Sequence, residues 1–119
     1  MKENKFFSEL KVKYIQILHD VFPNAEKELS FDYNADLGQR FESGMTKLQD
    51  AIILLKKARD ADDKTATLTA LVYIRVYAMN LSNFFEDFKD DADLLRSSSI
   101  WPDIPENYKL PEHYNFPHK

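Results

Sequence analysis

The sequence predicts an all-α fold, an antiparallel bundle of three long helices followed by an irregular, proline- and aromatic-rich C-terminal extension. Three observations carry that prediction. Apolar residues recur at three- and four-residue spacing over long stretches, as a helix with one buried face requires. Only two glycines interrupt 119 residues. Four of the five prolines are confined to the end of the chain, after residue 100. At this length one core is expected, and roughly two-thirds of the unfolded surface can be buried. The bundle is assigned to residues 1–96 and the extension to residues 97–119.

The first helix is predicted to start near Glu3 and to end by Phe22, because Pro23 disfavours helical geometry in the residue before it. Phe7, Leu10, Tyr14, Ile17 and Val21 form its apolar stripe, widened by Phe6, Ile15, Leu18 and Phe22. Residues 23–35 read as a linker whose Leu29, Phe31 and Tyr33 plug the end of the bundle. Asn34 or Asp36 then caps a second helix that runs to about Arg59. Leu37, Phe41, Met45, Leu48, Ile52 and Leu55 mark its inner face. Gly44, Ala51 and Ala58 repeat every seven residues beside them and let another helix approach closely.

"DADDKT", residues 60–65, is the turn into the third helix, and its acids suit the positive end of the helix dipole. So short a connection makes the second and third helices antiparallel neighbours. The third helix is expected to reach Phe88 or beyond. Its "VYIRVY" stretch has β-branched and aromatic content that also suits a strand, but length and the flanking pattern favour helix. From Leu68 to Phe88 it has almost no polar face, which predicts burial on more than one side. Either the aromatic tail or a second copy of the chain, as a homodimer through the third helix, is expected to cover the remaining side.

The charge balance, 20 acids against 16 bases for a net −4, argues against duplex nucleic acid as the default partner, because phosphate binding favours a basic surface. Lys56, Lys57 and Arg59 are the best basic cluster, and their place in a last helical turn already accounts for them through the helix dipole. The absence of cysteine removes disulfides and thiol chemistry and fits a reducing, cytoplasmic setting. The N-terminus has neither a long apolar run nor a small-residue cleavage site, so no signal peptide is expected. Residues 65–85 are long enough to span a bilayer, but a central arginine costs about 2.5–3.5 kcal/mol there. Arg75 and Asn80 in the middle of that stretch therefore argue against membrane insertion.

Signals for catalysis are absent. No nucleophile elbow or phosphate-binding loop occurs, and the helix-borne histidine and glutamate spacings of zinc and di-iron sites are missing. No metal or cofactor is expected. His19 reads as a helix-terminal histidine, while His113 and His118 lie in the tail. The acidic run Glu86, Asp87, Asp90, Asp91 and Asp93 reads first as a solvated helix end and second as a surface for a basic protein. Arg75, set among apolar neighbours, reads as a surface arginine whose stem covers them. Were it inside, it would mark an anion pocket with Tyr73 and Tyr77.

The tail carries Trp101, Tyr108, Tyr114 and Phe116 between its prolines, which pre-order an extended path along a surface. Packing on the chain's own bundle is the first expectation. Trp and Tyr also dominate binding hot spots, which makes Trp101, Tyr108 and Tyr114, with the acids from Glu86 to Asp91, the candidate protein-binding residues. The function expected is that of a non-enzymatic interaction factor, an adaptor, inhibitor or immunity-type protein. An anion-binding pocket around Arg75 and nucleic-acid binding through Lys56, Lys57 and Arg59 are the alternatives.

Overall fold

The computed structural model describes residues 5–24, 28–32 and 34–118. It contains three helices, α1 (Lys5–Val21), α2 (Leu37–Asp60) and α3 (Lys64–Arg96), and one short 3-10 turn at Glu112–Tyr114. Among the described residues no strand forms, and "VYIRVY" is helical. The expected start near Glu3 lies outside the described residues, as does Tyr33.

Local chemistry sets the helix ends. The Asp36 carboxylate caps α2 by accepting from the Gln39 amide at 3.0 Å, and Asp63 caps α3 by accepting from Ala66 at 3.0 Å. These acceptors satisfy amides that a first helical turn leaves free. Between α2 and α3 the chain reverses through Asp62, which takes a left-handed conformation with φ 51°. An aspartate tolerates that region better than most residues.

The seven-residue repeat of small residues forms the α2–α3 seam. Ala51 and Ala58 on α2 and Ala70 on α3 are buried. A Cβ added to Gly44 would lie 2.9 Å from the Leu81 Cδ2, so glycine allows the close approach there. The expected inner face of α2 is rotated accordingly: Leu37 is buried, Phe41, Met45, Leu48 and Leu55 are half-buried, and Ile52 is exposed. Centring the contact on the small residues turns Ile52 outward.

The main core lies where α1 meets the other two helices. Phe7 is its hub, with ring centroids 5.2 Å from Phe41, 5.3 Å from Phe84 and 5.6 Å from Phe88. Phe31 lies against Phe88 at 5.7 Å, and Leu29 joins the same cluster, so the linker does plug the core. Such aromatic pairs contribute about 0.5–1.5 kcal/mol each beyond area burial.

Two expectations fail. With 17 residues against the 33 of α3, α1 is only about half as long at 1.5 Å per residue. It packs against the C-terminal half of α3, around Phe84 and Phe88. The N-terminal half of α3 therefore has one helical neighbour, and it is not buried on more than one side: Leu68, Leu71, Val72, Val76 and Met79 are exposed. Nor does the tail cover them. Trp101 donates its indole N–H to the Leu95 carbonyl at 2.7 Å, yet residues 99–118 are exposed throughout. Nine of residues 97–119 are prolines or charged, which leaves too few apolar side chains in a row to bury a strip.

Candidate interaction surface

The apolar row on α3 is the largest departure from an ordinary solvated helix. Leu68, Val72, Val76 and Met79 recur at spacings of four, four and three residues, which places them on one stripe. That stripe faces away from Ala70, Leu81 and Phe84, the buried side of the same helix. Leu68 is the most open of them, at 63% exposure. Arg75 lies at the edge of this row and is itself exposed. An arginine in such a setting keeps its charge in water.

The acidic run divides in two. Glu86, Asp90 and Asp93 surround the Lys89 ammonium at 3.8, 3.6 and 3.9 Å, and Arg96 pairs with Asp93 at 3.0 Å. All are exposed, so each pair is worth at most about 1 kcal/mol. Asp87 is half-buried.

Asp91, expected among the solvated acids, is instead fully buried. It accepts hydrogen bonds from the Ser30 and Phe31 amides, the latter at 3.1 Å. It thereby pins the α1–α2 linker to α3 and does not belong to a binding surface. The signal was present in the spacing, because Phe84, Phe88, Asp91 and Leu95 follow at four, three and four residues along the buried stripe. Beside it the Tyr14 hydroxyl donates to the Phe88 carbonyl at 3.2 Å. Burial, and then the negative Asp91, pushes the Tyr14 phenol above its ordinary value of 10.0.

The other candidate residues are dispersed. Trp101, Tyr108 and Tyr114 are exposed along the tail, and Lys56, Lys57 and Arg59 are exposed at the far end of α2. Tyr73 and Tyr77 stand one turn apart with ring centroids 6.1 Å apart. Arg75, two residues from each of them, is exposed on another side of the helix. Among the described residues no group of three acids or histidines is placed to hold a metal ion, and no helix is long and apolar enough to cross a membrane.

Sequence reading missed a groove of mixed lining along the α2–α3 seam, with a volume of about 580 Å³. Gly44 and Leu81 line it, with Arg40 and Lys47 from α2 and Asn80 and Asn83 from α3. The Arg40 guanidinium lies over the Phe84 ring, 5.4 Å from its centroid. A second, smaller depression of about 260 Å³ shares Lys47 and Tyr77 and extends the groove towards Leu54 and Tyr73. Comparison with protein-family models, with curated proteins and with solved structures finds no match to this chain.

Proposed function

We propose that this chain is a protein-interaction factor that acts by contact and not by catalysis, in the manner of an adaptor, inhibitor or immunity-type protein. The observation that carries the reading is the apolar row of α3, left open over the half of the hairpin that α1 does not reach. Contiguous apolar surface of this kind, bordered by polar residues, marks contact sites on proteins.

The occupant we assign to the row is a second copy of the chain. Leu68, Leu71, Val72, Val76 and Met79, all at least 40% exposed, supply the apolar centre of an interface that a second copy buries from both sides, and stable interfaces bury about 1,000 Å² or more in total. Two helical hairpins packed through α3 complete a four-helix arrangement, the common way such faces are closed. Pairing is isologous, so one substitution acts twice. The exposed tail aromatics Trp101, Tyr108 and Tyr114, with the exposed Glu86 and Asp90 and the half-buried Asp87 between them, then face a different, basic protein. Acids there speed encounter in a salt-sensitive way.

Replacing Val72 and Val76 together with glutamate tests the reading. Light scattering on a sizing column is expected to give a dimer for the original chain and a folded monomer for the variant. A monomeric original chain at tens of micromolar, or an unchanged dimer in the variant, contradicts the assignment.

A further inference from the structure

The groove on the α2–α3 seam lies on a different side of α3 from the apolar row. Its lower section brings Arg40 and Lys47 together with the side chains of Gln39, Asn80, Asn83 and Tyr77, and no carboxylate lines it. In a chain of net −4 that is a local reversal of sign. Among the described residues neither cation makes an ion pair. Arg40 is oriented by its stacking on Phe84.

Two dimensions narrow the ligand. Arg40 and Lys47 stand two helical turns apart on one face of α2, about 10 Å at 1.5 Å per residue. In a peptide extended in the polyproline II conformation, with three residues per turn and about 3.1 Å per residue, carboxylates three positions apart share one face and stand about the same distance apart. The groove continues from Gln39 to Leu54, a run of about 22 Å that holds roughly seven extended residues. Asn and Gln side chains offer both a donor and an acceptor, as a peptide backbone requires. The upper section changes character, with Ala51, Leu54 and Tyr73 beside a single acid, Asp50.

We propose that this groove binds an extended acidic peptide of a partner protein, with two carboxylates three residues apart over Arg40 and Lys47 and apolar residues towards Leu54 and Tyr73. The assignment rests on the reading of the chain as a protein-contact factor and names one class of segment it takes.

The test is an NMR titration of the isotope-labelled full chain with the heptapeptide EAAEALA, alongside KAAKALA, the respaced EEAAALA and inorganic pyrophosphate. The expected result is amide shifts confined to residues 39–54 and 73–84, with EAAEALA binding tighter than EEAAALA and KAAKALA not binding. Arg40→Gln with Lys47→Gln, checked for unchanged helicity, is expected to weaken it about tenfold or more, the loss of about 1.4 kcal/mol in charge-assisted contacts. No shift in the groove, equal binding of the respaced peptide, or indifference to the two substitutions overturns the proposal. Pyrophosphate binding as tightly as EAAEALA also overturns it, by making the groove a small-anion site. None of these results bears on the dimer, whose assembly state is read separately.

Discussion

Asp91 is the residue on which the linker depends. Replacing it with alanine removes an acceptor from the part-buried Ser30 amide and from the buried Phe31 amide, and losing the partner of a buried donor costs about 1–3 kcal/mol. Asp91→Ala is therefore expected to destabilise the chain by about 2–5 kcal/mol in urea unfolding, far more than Asp90→Ala on the exposed side. Equal effects at the two positions would refute the clamp. Tyr14 makes a prediction in pH. Its phenol titrates above 10.0 in the folded chain, so the folded state holds that proton more tightly than the unfolded one. The resulting stability is present in full below about pH 10 and is lost as pH rises through the raised folded value. Melting curves between neutral and strongly alkaline pH are expected to fall less steeply for Tyr14→Phe than for the original chain. Reading the acids as one run by composition hid Asp91, whereas its place on the stripe of Phe84, Phe88 and Leu95 would have marked it as buried.

At the scale of elements, helix caps and the small-residue seam were legible because both depend on local chemistry. Asp36 caps α2 as its side chain predicts, and the repeat of Gly44, Ala51 and Ala58 announced a close approach by another helix, which is α3. The exact rotation was not legible: Ile52 fits an apolar stripe in sequence, yet the seam centres on residues with almost no side chain. Gly44 tests the seam. Alanine there gains about 0.5–1 kcal/mol of helix propensity but pushes against the end of Leu81 at 2.9 Å. Gly44→Ala is expected to change stability by less than about 1 kcal/mol, and Gly44→Leu to cost about 1–3 kcal/mol by overpacking. Thermal or urea melts of the two variants distinguish that contact from an open one, where leucine would cost nothing.

At the scale of the whole molecule, sequence reading assumed three helices of comparable reach. Helix lengths of 17, 24 and 33 residues mean that α1 closes only one half of the α2–α3 hairpin, and the molecule is accordingly long, 59 × 34 × 28 Å. Periodicity reports that a face is apolar but not which neighbour covers it, so the same pattern fits a buried helix and an interface. The groove of Arg40 and Lys47 was hidden for a related reason: it is assembled from two helices, and neither shows it alone. The tail contributes one indole hydrogen bond and little burial. A chain ending after Trp101 is expected to keep its melting temperature within about 4 °C, the shift that about 1 kcal/mol produces in a small domain. A larger drop would make the tail part of the fold.

We propose that the open face of α3 is a contact surface closed by a second copy. Light scattering on a sizing column, run on the full chain and on the Val72→Glu, Val76→Glu variant, tests it most directly. Twice the 14.0 kDa chain mass is expected for the first and a helical monomer for the second. A full chain that stays at 14.0 kDa at tens of micromolar, with its leucines and valines in water, would contradict it.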